Sequence, residues 1–188
     1  MLLPIGALAG LLAGLFGGGR IEHLLARRLR WPLLAVFALA VKALGHRPGL
    51  ATSPFTPWLY ALSVAALTAW VVWQRDRFSG IWLVAAGMTV NLLVVVGNGG
   101  RMPVRRGLAA QGPPQLAGQG WWGQYLVAGR GTHLAWLGDA IHLPGVAGRL
   151  LPQAYSAGDL LVTAGLVVTL FLATRPTRGQ TAPGGVGT

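Results

Sequence analysis

The sequence predicts an all-α integral membrane protein of about five transmembrane helices, with a long extracytoplasmic segment between the fourth and the fifth. Three observations predict it. The 188 residues are 53% hydrophobic and only 10% charged, a balance foreign to soluble domains. The apolar residues fall in runs that approach the ~17–25 residues a helix needs to cross a bilayer. The cations, which bring the formal net charge to +11, punctuate the ends of those runs. They form no dense patch interleaved with aromatics, so a nucleic-acid partner is excluded. The absence of cysteine excludes disulfides, thiolate chemistry and Cys-type zinc sites.

Residues 1–178 read as one polytopic domain, with spans at about 2–18, 31–45, 55–73, 81–97 and 157–173. The first span opens MLLPIGALAG without the positive region that precedes a signal-peptide core, so it is expected to be retained as a helix. In it Gly6, Gly10, Gly14 and Gly18 recur every four residues, a small-residue stripe that lets two helix backbones approach closely. The stripe serves either another span of this chain or a homo-oligomer seam. The second span is short and carries Lys42 near its end, where a lysine can snorkel to the headgroups. The third, Phe55 to Trp73, is uninterrupted. The fourth holds Asn91, the one strongly polar residue deep in a span, expected to bond to a neighbouring helix. That span stops at NGGRMPV, Asn98 to Val104. There a glycine can take the left-handed closing conformation, Arg101 compensates the helix dipole and Pro103 prevents resumption. Before the fifth span, Ser156 and Asp159 stand in the register of a capping box. The tail 179–188 is small and polar and is expected to be disordered.

Orientation follows from the short connections. Arg20, Arg27, Arg28, Arg30, Arg75, Arg77, Arg175 and Arg178 fall on one side of a five-span chain, and the positive-inside rule makes that side cytoplasmic. The amino terminus is then outside, the carboxyl terminus inside the cell, and residues 98–156 form the extracytoplasmic segment.

That segment holds most of the polar material. Trp121, Trp122 and Tyr125 read as an interfacial anchor, because amphipathic rings favour headgroup depth. His133, Asp139 and His142 invite a metal test, with Leu134 to Leu143 as a short helix. Their spacing matches no metal-binding motif, so no metal is expected. No hydrolase elbow, phosphate loop or dinucleotide fingerprint is present, and neither a catalytic residue nor a cofactor is assigned. Five spans are also few for the inverted repeats of a transporter.

The phrases GGR at Gly18 to Arg20, NGGRMPV at Asn98 to Val104, His133 followed by Leu137 to Asp139, and SAGD at Ser156 to Asp159 together resemble a known family. It is domain-of-unknown-function family 5317 (DUF5317), uncharacterised bacterial multi-pass membrane proteins. The resemblance implies a small integral membrane protein of about five spans and brings no activity, substrate or cofactor. The Gly/Pro/Trp-rich stretch before His133 departs from the family pattern. The resemblance also marks Asn98, Arg101, His133, Asp139 and Asp159 as a candidate polar site. Arg101 is expected to meet Asp139 or Asp159 at the outer mouth, since charges near hydrocarbon are paired.

The sequence therefore favours a non-enzymatic envelope component, embedded in the inner membrane, that packs with itself or with a larger complex through helix one. The alternative is a binder of, or enzyme for, an anionic lipid or lipid-linked phosphate at the outer leaflet, using the phosphate-matching forks of Arg101, Arg105 and Arg106.

Overall fold

The computed structural model describes residues 2–44, 47–112, 114–151 and 153–176. Arg178 and the tail 179–188 lie outside the described residues. Five helices of 13 to 18 residues stand where the five apolar runs were read: α1 (Leu2–Phe16), α3 (Pro32–Leu44), α5 (Thr56–Trp73), α6 (Ile81–Gly97) and α9 (Ala157–Ala173). Short helices α2 (Ile21–Leu25) and α4 (Pro48–Ala51) lie in the connections. Among the described residues, α5 is the helix long and apolar enough by itself to cross a membrane.

Packing pairs α1 with α9, α9 with α6, α6 with α5 and α5 with α3, so the last helix inserts between the first and the fourth. Glycine makes that insertion possible. A Cβ on Gly10 would sit 2.5 Å from the Val167 carbonyl oxygen, and one on Gly6 the same distance from the Thr163 Cγ2. Gly14 approaches Thr174 and Phe171, so α1 and α9 run parallel with their backbones nearly touching. Opposite this seam, a Cβ on Gly87 would lie 2.6 Å from the Gly158 oxygen, and one on Gly165 2.5 Å from the Val84 nitrogen. The α9 helix is thus clamped by backbone on two sides, the close approach that small residues permit between helices. The stripe in α1 is covered within the chain. Gly18 is not part of it: at φ +83 it forms the turn after α1 with no atom near a would-be Cβ.

At one end of the helices, arginines donate to backbone carbonyls at or just beyond the helix C-termini. Arg30 Nη1 reaches the Trp73 oxygen at 2.8 Å, Arg27 Nη1 the Arg77 oxygen at 2.9 Å, and Arg175 Nη2 the Gly17 oxygen at 3.3 Å. Cations there also meet the negative ends of the helix dipoles.

The opposite end carries a folded cap, and here the all-α expectation is corrected. Strands β1 (Met102–Val104), β2 (Trp121–Trp122) and β3 (Tyr125–Val127) form a small mixed sheet in the order β1-β3-β2, with β1 parallel to β3. A 3-10 turn (Arg106–Gln111) and helix α7 (Pro114–Gln119) close over it, burying Val104, Ala109 and Leu116 against Trp122, Tyr125 and Val127. Trp122 and Tyr125 are half-buried and pack against the core of the cap. Helix α8 (Gly145–Leu150) follows. The short helix expected over Leu134 to Leu143 does not form. Those residues make turns around Leu134 (φ +50), then Asp139 joins the edge of β1 beside Val104.

The cap is anchored where α6 ends. The Gly100 amide bonds back to the Val95 carbonyl at 2.9 Å with φ +84, the left-handed helix closure. Its missing side chain also admits Pro57, whose oxygen would lie 2.5 Å from a Cβ. The next residues do not merely stop the helix: Met102, Pro103 and Val104 are buried and form β1. Pro103 lacks an amide but its carbonyl accepts from the Asp139 amide at 2.8 Å.

Candidate functional site

Between the helix ends and the cap lies a cavity of about 520 Å³. Its apolar wall includes Leu2 and Leu3 from α1 and Leu108 and Leu116 from the cap. Its polar groups are Lys42 from α3, Tyr125 and Asp139 from the cap, Gln153 and Tyr155 from the approach to α9, and Asp159 from its first turn.

Each charged group is held by the local chain. Asp139 is carried by backbone pairing: its amide donates to the Pro103 oxygen, and its carbonyl accepts from the Arg105 amide at 3.0 Å. Gly138 permits this docking, since a Cβ there would meet the Pro103 Cγ at 2.7 Å. Asp159 is fixed by a complete capping box. The Ser156 amide donates to its Oδ2 at 3.1 Å, and its own amide donates to the Ser156 Oγ at 2.9 Å. Asn91 on α6 closes the network, donating from Nδ2 to Asp159 Oδ1 at 3.0 Å and accepting at Oδ1 from the Ser156 Oγ at 2.8 Å. The Asn91 amide thus ties α6 to the start of α9, and Gly158 has no side chain because Asn91 occupies that space.

Lys42 does not simply snorkel away from the protein. It is half-buried, lines the cavity, and stands over the Tyr60 ring at 5.7 Å. Tyr155 is 4% exposed and backbone-paired with Ile141; its Oη is buried with no hydrogen-bond partner among the described residues. Burial pushes the Asp139 carboxyl up to about 8, assisted by the negative charge of Asp159 and opposed by Lys42. Burial, with Asp139 adding to it, pushes the Tyr125 hydroxyl up to about 12.

Of the candidate polar site, the structure brings Asp139 and Asp159 together. Arg101 is elsewhere: its guanidinium lies over the Trp121 ring at 4.9 Å, and it does not line the cavity. The expected meeting of Arg101 with a carboxylate is corrected, because the chain turns into β1 at Met102 and leaves Lys42 as the lining cation. Asn98 takes a structural position, donating to and accepting from the His133 backbone at 2.8 and 2.9 Å. The His133 residue itself is exposed and outside the cavity lining. Among the described residues no three His, Asp or Glu gather as a metal site, His133, Asp139 and His142 included. Lys42 and Tyr155 had no place in the sequence-derived site. The one available signal for Lys42 was a charge inside an apolar run; Tyr155 had none.

The family model for DUF5317, a family of unknown function, matches residues 27–171. The chain belongs to the DUF5317 family. No curated protein and no solved structure matches it. Within the DUF5317 match lie NGGRMPV, His133, Leu137 to Asp139, and Ser156 to Asp159, together with Lys42 and Tyr155. Helix α1 and the GGR phrase at Gly18 to Arg20 lie before it. The charged groups of the cavity thus belong to the DUF5317 segment, and the Leu2 and Leu3 wall is supplied from outside it.

Proposed function

We propose that this chain is a five-span integral membrane protein of the cell envelope, amino terminus outside, that acts as a binding component through its mouth cavity rather than as an enzyme. The observation that carries this reading is the apolar outer surface of its helices. Large apolar residues point outward: Ile5, Leu8 and Phe16 on α1; Leu33, Val36 and Phe37 on α3; Leu62 on α5; Leu93 on α6. The buried positions include Gly6, Gly10, Gly14, Ser63, Thr68, Gly158, Gly165 and Thr169, beside apolar clusters around Val64, Val84, Val94 and Val95. Water would oppose so much exposed apolar surface, whereas hydrocarbon welcomes it. Helices of 17 residues span ~25 Å at 1.5 Å per residue, close to the bilayer core with interfacial residues added. The arginines bound to helix C-termini favour a cytoplasmic location for that end.

Apolar walls joined to a few converging polar groups are the composition of a ligand pocket. Assembly through the glycines of helix one loses its motive, since α9 covers them. A second reading keeps one observation in its favour: Arg105 and Arg106 are exposed on the cap, where they suit anionic headgroups.

The lack of native cysteine makes the test clean. Arg28→Cys, Ser79→Cys, Gly107→Cys, Gly131→Cys and Ala154→Cys are labelled singly in intact cells. Positions 107 and 131 are expected to react with an impermeant maleimide, and position 154, in the cavity, with a small methanethiosulfonate. Positions 28 and 79 are expected to react only after permeabilisation. External labelling of 28 or 79, or an inert position 154, overturns the reading.

A further inference from the structure

The cavity has an electrostatic character opposite to that of the chain around it. The sequence contains 15 lysines and arginines against four acidic residues. Two of those four, Asp139 and Asp159, line this one cavity, and Lys42 is the sole lysine or arginine in its described lining. A carboxylate beside hydrocarbon is costly without a cation or hydrogen-bond donors. Asp159 spends one lone pair on Asn91 and another on the Ser156 amide, and Asp139 faces the same space as Lys42. A second and independent observation points to a ligand. Tyr155 is 96% buried by its 4% exposure, lines the same space, and carries an Oη without a hydrogen-bond partner among the described residues. An unpartnered buried hydroxyl is rare, and a phenolic oxygen can accept a hydrogen bond as well as donate one. The opposite wall is apolar, through Leu2, Leu3, Leu108 and Leu116.

We infer that the mouth cavity binds the protonated amine of an amphiphile, with the ammonium held by Asp139, Asp159 and the Tyr155 hydroxyl and the chain laid along the leucines. This rests on the membrane-cavity reading above and specifies its ligand. The ammonium brings a second positive charge beside Lys42 and up to three donors of its own. A phosphate would instead face two acidic side chains, and the arginines that suit it, Arg101, Arg105 and Arg106, do not line the cavity. The amine has two possible sources, an aminolipid headgroup in the bilayer or a soluble amphiphilic amine.

The test uses the full chain in phosphatidylcholine nanodiscs, with dodecylammonium, dodecyl phosphate and dodecanol as probes and binding read by native mass spectrometry and calorimetry. Dodecylammonium is expected to bind saturably, at least tenfold more tightly than either of the others. Asp139→Asn is expected to weaken it tenfold or more, and Tyr155→Phe severalfold. Lys42→Gln removes the competing cation and is expected to strengthen it severalfold, a gain that misfolding cannot mimic. Tighter binding of dodecyl phosphate, or weaker amine binding in Lys42→Gln, overturns the proposal. Competition by phosphatidylethanolamine placed in the disc assigns the lipid source, and competition by octylamine in the buffer the soluble one; competition by neither overturns it. Cysteine labelling needs no ligand, so a five-span protein with a reactive position 154 that ignores dodecylammonium loses this inference alone.

Discussion

At the scale of the residue, the most consequential group is Asp139. Its carboxyl ionises near 3.8 in an unfolded chain and at about 8 in the folded one, because burial and Asp159 disfavour the charge more than Lys42 relieves it. The folded state therefore holds this proton more tightly. The stability so gained is full below about pH 4 and is lost as the pH rises through about 8. Melting of the wild-type chain is expected to fall across that window, and Asp139→Asn, which cannot ionise, is expected to flatten the profile. A cation bound beside Asp139 would ease its ionisation, so affinity for dodecylammonium is expected to rise between pH 6 and 8.5. Lys42, Asp159 and Tyr125 face the same group. Ser156→Ala is expected to cost about 1 kcal/mol for the lost cap. Leaving the Asn91 acceptor without its donor adds to that cost. A double-mutant cycle of Ser156→Ala with Asn91→Ala should show a coupling of at least ~0.5 kcal/mol, as contacting residues do.

At the scale of the element, α9 carries the fold. It is the helix with backbone contact on both sides, and its Gly158 and Gly165 lie against α6 while Thr163, Val167 and Phe171 receive α1. Gly10→Leu must separate α1 from α9 and is expected to destabilise the protein by at least the ~1–3 kcal/mol typical of overpacking. Gly131→Leu, at an open position, should leave melting unchanged in the same assay. In the sequence the glycine repeat of the first span was legible as a packing stripe. Its partner was not, since a stripe specifies closeness without saying to what. Gly18 continued the pattern in the sequence but not in space, because α1 ends at Phe16 and the turn that follows needs a positive φ.

At the scale of the molecule, the cap and the bundle meet through few covalent constraints and several backbone bonds. Asn98 pins residue 133, Pro103 pins Asp139, and Ile141 pairs with Tyr155 just ahead of α9. Gly138→Val is expected to push Asp139 off β1 and open the cavity. Trypsin cleavage at Arg130 or Arg149 should accelerate, while the helices stay folded by circular dichroism. Unchanged proteolysis would show that the cap does not depend on that seam.

What the sequence determined by itself was local: the five apolar runs, the capping box of Ser156 and Asp159, and the glycine closure after Gly97. Each depends on side chains within a few residues, and composition and spacing express them directly. The resemblance carried by NGGRMPV and its companions likewise pointed to the DUF5317 family, to which the chain belongs. Tertiary structure alone decided which helices touch, that strands of two and three residues form a cap, and that Arg101 stacks on Trp121 while Lys42 lines one cavity with Asp139 and Asp159. Those strands are too short to show a period. The meeting of Lys42, Asp139, Tyr155 and Asp159 spans more than a hundred residues of chain, and no local pattern records it. It arises because α9 inserts between α1 and α6, brings its first turn to the mouth, and leaves the cap to close over the space.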